Sequence, residues 1–176
     1  MTSVQTSHTA DLEPATLSTA RALLYDAFDD WTEHDWEHSL GGVHAIAWDG
    51  DEIVGHAAVV QRRLLHGGRA LRAGYIEGVG VRADHRRQGL GAAMMGALER
   101  VVCNAYDLGA LGATDEAVPL YTGRGWKLWE GPSSALTPDG VRRTTDEDGA
   151  IYVLPGAVAL DLAGELTCDW RDGDVW

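Results

Sequence analysis

The sequence has little of what marks a secreted or membrane protein. It contains two cysteines, Cys103 and Cys168, which form no CxxC pair, so reduced thiols in a cytoplasmic protein are the simplest expectation. No apolar run approaches the roughly 20 residues that a membrane span needs. Residues 1–10 lack the basic start and apolar stretch of a secretory signal. We therefore expect no membrane partner.

Basic residues are also few: 14 lysines and arginines face 27 aspartates and glutamates, for a formal net charge of −13. This balance argues against nucleic acid as a partner, because binding it needs a basic face. The charge is uneven, since residues 61–87 hold seven of the 14 basic residues. A basic island in an acidic chain is compatible with two ligands, one anionic and one cationic. An acidic surface that only keeps the protein soluble remains the alternative on composition alone.

The length of 176 residues suits one domain, and we expect a single domain over 1–176. Apolar spacing predicts a helix over 14–28 and another from Leu90 onwards. A DG turn between two alternating apolar runs predicts a β-hairpin. The complete prediction is a helix (14–28), an acidic loop (29–39), strands (43–48, 52–60, 71–81), the helix from Leu90, a strand (108–113), a short helix (116–121), strands (126–129, 151–154) and a segment that is mostly turn and loop (131–149). This order indicates a mixed α/β domain with a largely antiparallel first half.

The most informative stretch is 79–93, where a predicted strand runs through a basic turn into a helix. Gly89 and Gly91 carry no side chain, so backbone N–H groups can approach a ligand there. The free N–H groups and positive dipole end of a helix favour phosphate. Arg86 and Arg87 add charged donors. The sequence therefore predicts a phosphate-binding turn.

The pattern Arg86-x-x-Gly89-x-Gly91 resembles the signature of the GNAT acyltransferase superfamily. The resemblance implies the GNAT α/β (α+β) fold, a mixed and mostly antiparallel sheet flanked by helices. It also implies acetyl-CoA as cofactor, with the pantetheine arm paired to the strand like an added strand. The implied cofactor residues are Val79, Gly80, Val81, Arg86, Arg87, Gln88, Gly89, Leu90 and Gly91.

The rest of the chain resembles one GNAT branch, the aminoglycoside 2'-N-acetyltransferases. The matching segments are 32–42, 60–63, 74–84, 120–126 and 168–176. The resemblance implies acetyl transfer to the 2' amine of aminoglycoside antibiotics, with drug resistance as the consequence. Two positions depart from the expected pattern: Gly112 stands where a serine is expected, and Glu147 where an aspartate is expected.

Aminoglycosides are polycations, so their site needs several carboxylates. The sequence offers three acidic clusters: Asp29/Asp30/Glu33/Asp35, Asp146/Glu147/Asp148, and Asp169/Asp172/Asp174 with the terminal carboxylate of Trp176. Each cluster alone is typical of a solvated turn, but together they favour a cation site. By resemblance, the substrate contacts are Asp30, Asp35, Glu77, Gly78, Gly112, Asp146, Glu147, Asp174 and Trp176.

N-acetylation needs a neutral amine, so a base must first take a proton from the ammonium group. Glu77 precedes Val79 by two residues on the same predicted strand and so points to the same face, and we expect it to be this base, directly or through a water. Its alternative is a surface carboxylate that only binds the cation. The amine then attacks the thioester, and a backbone N–H of Val79 or Val81 stabilises the tetrahedral oxyanion.

By resemblance, Tyr121 protonates the departing thiolate, and its alternative is a core aromatic. Two other readings of the whole chain remain: a GNAT enzyme for another cationic amino sugar or metabolite amine, and a drug- or CoA-binding module without turnover. The pattern His34-x-x-Glu37-His38 resembles a zinc-peptidase motif. We expect no metal, because no long amphipathic helix surrounds it and no third ligand is evident. The family resemblance also implies a homodimer.

Overall fold

The computed structural model describes all 176 residues, which form four helices and ten strands. The helices are α1 (Pro14–Ala27), α2 (Glu33–His38), α3 (Leu90–Ala105) and α4 (Val118–Thr122). The strands are β1 (Thr2–His8), β2 (Val43–Asp49), β3 (Glu52–His66), β4 (Arg69–Val81), β5 (Leu108–Gly112), β6 (Lys127–Leu128), β7 (Ser133–Thr137), β8 (Gly140–Arg143), β9 (Ile151–Pro155) and β10 (Leu166–Cys168).

The chain divides into two compact units. The N-terminal unit contains Met1–Val60 and Ile76–Val101, and the C-terminal unit contains Gln61–Tyr75 and Val102–Trp176. The strands β3 and β4 and the helix α3 contribute residues to both units.

In the N-terminal unit, β1, β2 and the first part of β3 form an antiparallel sheet. β2 and β3 make the predicted hairpin, and Gly50 at its tip has a φ of 60°, a left-handed conformation that favours glycine. The helix α1 begins at Pro14, which suits a first helical turn, and buries Ala20 and Leu24. A Cβ on Gly80 would lie 2.9 Å from Leu24 Cδ2, so this helix packs closely on the end of β4.

The C-terminal unit is built on a sheet of mixed direction. Its strand order is β6-β9-β5-β4-β3-β10-β7-β8, in which β4 and β5 are parallel, as are β10 and β7. The pairs β3–β10, β5–β9, β6–β9 and β7–β8 are antiparallel. Behind β4, a Cβ on Gly74 would lie 2.8 Å from the Tyr106 ring, so the end of α3 packs closely there.

The predicted order of helices and strands is largely confirmed, as is the mixed and mostly antiparallel sheet. The prediction of a plain loop over 29–39 is wrong, because α2 lies within it. Thr32 and Asp35 form a reciprocal capping box that starts this helix. The segment 131–149, which is predicted to be mostly turn and loop, also contains the strands β7 and β8. The strands β1 and β10 were not predicted. No helix of the chain has the length and apolar character needed to cross a membrane.

Candidate active site

The turn between β4 and α3 is pinned at its start by local ion pairs. Arg82 donates to Asp84 Oδ1 at 2.8 Å and to Glu52 Oε2 at 2.9 Å. His85 Nδ1 lies 2.8 Å from the same Asp84 oxygen. These hydrogen bonds, that of Arg82 first, lower the pKa of Asp84 and fix the backbone where the strand ends.

The next four residues, from Arg86 to Gly89, are exposed. Arg87 has a φ of 62° and Gly89 a φ of 82°, both in the left-handed region. Gly89 accepts a hydrogen bond from Ala93 N, so it caps the N-terminus of α3. A Cβ on Gly89 would meet nothing within 4 Å, which means that the space before the first N–H groups of the helix is open. The geometry is that of an anion site at a helix N-terminus.

The predicted cofactor strand has an open edge. β5 pairs with β4 only at Ala73, Gly74 and Tyr75. The backbone of Val79, Gly80 and Val81 therefore lies beyond the last β4 residue that pairs with β5. An extended ligand could hydrogen-bond along this edge as a strand does.

Gly78 interrupts β4 beside the proposed base. Its φ of 56° is far from that of an extended strand, so the alternation that was used to place Glu77 and Val79 on one face does not hold across it. A Cβ on Gly78 would lie 2.9 Å from Ser39 Oγ and 3.2 Å from His56 Nδ1. Glu77 itself is half-buried. The position before Val79 thus requires glycine for both its conformation and its surroundings.

Two buried histidines lie behind Gly78. His56 Nδ1 is 2.8 Å from the Gly78 carbonyl oxygen, and His56 Nε2 is 2.9 Å from His44 Nδ1. Burial lowers the pKa of His44 to about 4 and that of His56 to about 3. Both rings are therefore neutral at physiological pH. Sequence reasoning missed them, because neither shows ligand spacing.

Tyr121 lies in α4, as predicted, and is buried, with its ring tilted against that of Trp126. Burial raises the pKa of Tyr121 to about 12. Its phenol therefore stays protonated at neutral pH, which is the form that a general acid needs.

The chain's last residues are held by arginines. Arg62, only 4% exposed, donates to Asp169 Oδ1 at 2.8 Å and to the Val175 carbonyl at 2.7 Å. Arg171 donates to the carbonyl oxygens of Asp174 and Trp176. Both guanidinium groups lie over the Tyr75 ring. Residues 169–176 form a fixed segment, called the tail below, and not a loose acidic end.

The arginines of the basic island therefore do not form one surface. Arg62 is internal, Arg72 pairs with Asp107, and Arg82 pairs with Asp84 and Glu52. Arg86 and Arg87 form no ion pair. Sequence reasoning missed the role of Arg62, although a signal exists: Gln61 and Arg63 are exposed while Arg62 and Leu64 are buried, the period of two of a strand with one buried face.

The acidic clusters separate into carboxylates that hold the fold and carboxylates that remain open. Asp148 pairs with Arg143, Asp169 with Arg62, and Glu33 with Arg21. Asp35 caps α2 through one oxygen, which accepts from Thr32 N and Oγ1. Asp30 and Asp146 are exposed and form no ion pair.

The predicted substrate residues of the C-terminal unit come together around Glu147. Burial raises its pKa, and the charges of Asp174 and Asp146 add to this effect. Asp174 Oδ1 accepts from Trp176 N, and the buried Trp176 ring donates to Thr144 Oγ1 at 2.9 Å. The cluster of Asp146, Glu147 and Asp174 repels itself and would be relieved by a cation.

Gly112, at the end of β5, belongs to the same neighbourhood. A Cβ there would lie 3.7 Å from Tyr75 Oη and 4.0 Å from the carbonyl carbon of Trp176. These are ordinary contact distances, so the serine expected at this position fits without rearrangement.

The residues of the zinc-peptidase pattern, His34, Glu37 and His38, all lie in α2. No group of three or more His, Cys, Asp or Glu side chains is arranged to hold a metal.

Comparison with known proteins agrees with this geometry. The family described as "Acetyltransferase (GNAT) domain" matches residues 10–129. The chain is 51% identical over 174 residues to the aminoglycoside 2'-N-acetyltransferase of Mycolicibacterium fortuitum, covering 96% of this chain and 89% of that one.

Solved structures share the fold. The ribosomal-protein-S18-alanine N-acetyltransferase of Escherichia coli superposes with a TM-score of 0.60 at 20% identity, over 90% of this chain and 96% of that one. Eis1 of Mycobacterium abscessus gives 0.62 at 18% identity over 76% of this chain, which covers 32% of the length of Eis1. The chain therefore belongs to the GNAT acetyltransferases and, within them, to the aminoglycoside 2'-N-acetyltransferase family.

Proposed function

We propose that this acetyltransferase moves the acetyl group of acetyl-CoA to the 2' amine of an aminoglycoside. The observation that carries the proposal is the 51% identity over 96% of the chain to an enzyme of that activity. Two local arrangements support it: an open basic turn suited to an anion, and a carboxylate cluster suited to a cation. Inactivation of the drug, and hence antibiotic resistance, would be the consequence.

The turn fits the charged end of the cofactor. Arg86 and Arg87, with the open N–H groups before Leu90 and Gly91, would hold the pyrophosphate, and Gln88 and Gly89 complete the turn. The open edge from Val79 to Val81 would bind the pantetheine arm. Acetyl-CoA supplies the acetyl group as a thioester when it is bound.

The acidic residues fit the polycationic substrate. In the C-terminal unit these are Asp146, Glu147 and Asp174, together with Gly112 and Trp176. In the N-terminal unit they are Asp30, Asp35 and Glu77, together with the backbone of Gly78. A drug ammonium beside Glu147 would lower the raised pKa of that group and form charge-assisted hydrogen bonds.

The proposed chemistry removes two protons from the 2' nitrogen, one before attack and one as the tetrahedral intermediate becomes the amide, and delivers one proton to the departing sulfur. The second nitrogen proton replaces the one that Tyr121 gives to the sulfur. Glu77 takes a proton from the 2' ammonium, directly or through a water, because an ammonium has no lone pair for attack. A backbone N–H of β4 donates to the carbonyl oxygen on which negative charge develops. Tyr121 holds its proton at Oη until the sulfur departs, and its raised pKa keeps that proton in place before the reaction.

The test uses two drugs that differ only at the 2' position, one with an amine and one with a hydroxyl. Thiol release from acetyl-CoA is followed with each, and the acetylated position is assigned by NMR. We expect release with the amine alone and acetylation at the 2' nitrogen.

Each alternative gives a different result in the same assay. Equal release with the hydroxyl drug, or acetylation elsewhere, would contradict the 2' assignment. Turnover restricted to a metabolite amine would identify a different substrate. Binding of drug and cofactor by calorimetry without any thiol release would identify a binding module.

We also propose that the chain forms a homodimer in the cytoplasm, where acetyl-CoA is made. The support is the hairpin of β7 and the edge strand β8, which carries the cross-strand pair of Leu136, 44% exposed, and Val141, 57% exposed. An exposed apolar pair on a sheet edge is costly unless it is covered. Light scattering of the purified protein tests this, and a monomer at micromolar concentration would contradict it.

A further inference from the structure

Three side chains, those of Thr9, His44 and His56, form a hydrogen-bonded series that ends on the Gly78 carbonyl oxygen. Thr9 Oγ1 is 2.7 Å from His44 Nε2, His44 Nδ1 is 2.9 Å from His56 Nε2, and His56 Nδ1 is 2.8 Å from Gly78 O. Both histidines are fully buried. This series joins the turn after β1 to β2, β3 and β4 within the N-terminal unit.

The Gly78 carbonyl oxygen, at the end of this series, determines the direction of every hydrogen bond in it. A carbonyl oxygen only accepts, so His56 must carry its proton on Nδ1. His56 Nε2 then accepts from His44 Nδ1, and His44 Nε2 accepts from the Thr9 hydroxyl. Each neutral ring thus has one defined tautomer, and all donors point towards Gly78.

The Gly78 carbonyl determines where the next N–H points. The polypeptide has no cis peptide bond. In the trans peptide between Gly78 and Val79, the C=O of Gly78 and the N–H of Val79 therefore point in opposite directions within the peptide plane. With the carbonyl directed into the interior at His56, the Val79 N–H faces away from His56. Val79 is the first residue of the open edge described above.

The surroundings allow this peptide no other orientation without cost. The φ of 56° at Gly78 is a left-handed conformation that favours glycine, and a Cβ there would lie 2.9 Å from Ser39 Oγ and 3.1 Å from Leu24 Cδ1. Trp36 of α2 packs on the His56 ring, with centroids 5.9 Å apart. Rotation of the peptide would leave a buried His56 N–H without an acceptor.

We propose that His56 and His44 are positioning residues that hold the Gly78–Val79 peptide so that the Val79 N–H donates to the oxyanion of acetyl transfer. The inference rests on the proposed function. It selects Val79 over Val81 as the donor, a choice that the sequence leaves open. Neither histidine touches the reacting atoms.

The test compares two substitutions of His56 that separate the hydrogen bond from packing. His56→Phe keeps a ring of similar size but has no donor, whereas His56→Asn keeps a donor near the position of Nδ1. We expect His56→Phe to lower kcat at least about tenfold, less than the roughly 10²–10³-fold loss for removal of an oxyanion donor. The KM values for both substrates should stay within about twofold, and His56→Asn should recover most of kcat.

His66→Phe is the matched control, since His66 bonds only to the backbone of Glu165 and Asp161 and lies in the C-terminal unit. It should leave kcat unchanged. Folded His56→Phe with parental kcat, or His56→Asn as slow as His56→Phe, would overturn the proposal in favour of a packing role.

Nitrogen-15 NMR tests the same arrangement without turnover. The parent protein should show both histidines with the proton on Nδ1. The Val79 amide resonance should move in His56→Phe and return in His56→Asn. An Nε2 proton on His56, or a Val79 amide that does not move, overturns the inference. Absence of acetylation with every 2' amine drug, with these signals as expected, overturns the proposed function and leaves only the arrangement of the two histidines and the Gly78–Val79 peptide in place.

Discussion

The β4–α3 turn and the tail both involve arginines, but the two regions leave opposite charges unpaired. In the turn, Arg86 and Arg87 are exposed and form no ion pair, although Arg86 Nε donates to the Val81 carbonyl oxygen at 3.1 Å. At the tail, Arg62 of β3 and Arg171 donate to backbone carbonyls of the tail. The neighbouring carboxylates of Asp146 and Glu147 form no ion pair. Formal charge along a sequence therefore does not identify a ligand. We propose that the ligand is selected by the charges that the fold does not neutralise: cations at the turn and carboxylates beside the tail.

We propose that both regions act in binding and not in proton transfer. The largest effect is therefore expected at neither of them but at Tyr121. Tyr121→Phe keeps the ring that packs on Trp126 and removes the acid, so kcat should fall about 10²–10⁴-fold with both substrate affinities unchanged. Steady-state kinetics and calorimetry check this. A kcat within about twofold of the parent would leave Tyr121 as a core aromatic.

At the turn, Gly91→Asp should act on the cofactor alone. The new carboxylate lies at the N-terminus of α3, where it competes with the pyrophosphate for the helix N–H groups. Losing one charge-assisted hydrogen bond costs about 1.5–3 kcal/mol, or roughly 10–100-fold in acetyl-CoA affinity. Gly91→Asn, of equal volume, is the control and should bind far better. Equal loss in both variants would mean that bulk and not charge disturbs the turn.

In the tail, Arg62→Met should lower stability and drug affinity together. It removes buried hydrogen bonds to Asp169 and Val175, and we expect a loss of about 2–3 kcal/mol in the free energy of unfolding. The drug KM should rise because the tail is no longer fixed, while the acetyl-CoA KM stays. Arg142→Met, at an exposed arginine on β8, is the control. Unchanged drug KM in the folded Arg62→Met protein would separate the tail from the substrate site.

Asp174→Asn tests the open carboxylates with a smaller change. It keeps the acceptor for Trp176 N and removes one charge from the cluster around Glu147. We expect a drug KM about fivefold higher at low salt, a difference that shrinks as salt rises, because exposed charges are screened. Asp139→Asn, in the exposed turn between β7 and β8, should change nothing. A KM that does not respond to salt in either variant would argue against an electrostatic role for Asp174.

The smallest effect is expected at Gly112, where the family resemblance leads us to expect a serine. Gly112→Ser fits the available space, and replacing a strand glycine should raise the free energy of unfolding by up to about 1 kcal/mol. The drug KM should change by less than about threefold. Denaturant titration of Gly112→Ser and Gly112→Ala measures the change in the free energy of unfolding, and steady-state kinetics measures the drug KM. A loss of stability in both variants would contradict the space that the structure leaves for a Cβ between Gly112 and the residues Tyr75 and Trp176.

These two regions also differ in how far the sequence predicts them. The turn is local: strand, arginines, glycines and helix follow one another within 79–93, and the prediction of its structure is confirmed. The tail is not local, because its position depends on Arg62, more than 100 residues away along the chain. No spacing rule reaches that far. The fate of each carboxylate likewise depends on its partner in space, as Asp148 with Arg143 shows.

The residues around Gly78 show a different limit. Period-two alternation is reliable only while the strand continues, and the left-handed Gly78 interrupts it next to Glu77. Glycine in a strand can indicate such a break, but 22 glycines in this sequence make the signal weak at any one of them. The α2 segment was missed for a similar reason, because six residues give too little periodicity to recognise a helix.

The most direct test of the central claim is a crystal structure of the protein with CoA and a 2' amine aminoglycoside bound. The account predicts the pyrophosphate on the N–H groups at the start of α3, with Arg86 and Arg87 around it. It also predicts drug ammonium groups within hydrogen-bond distance of Glu147 and Asp174. A pyrophosphate bound away from the turn, or a drug whose ammonium groups contact only solvent at the tail, would contradict it.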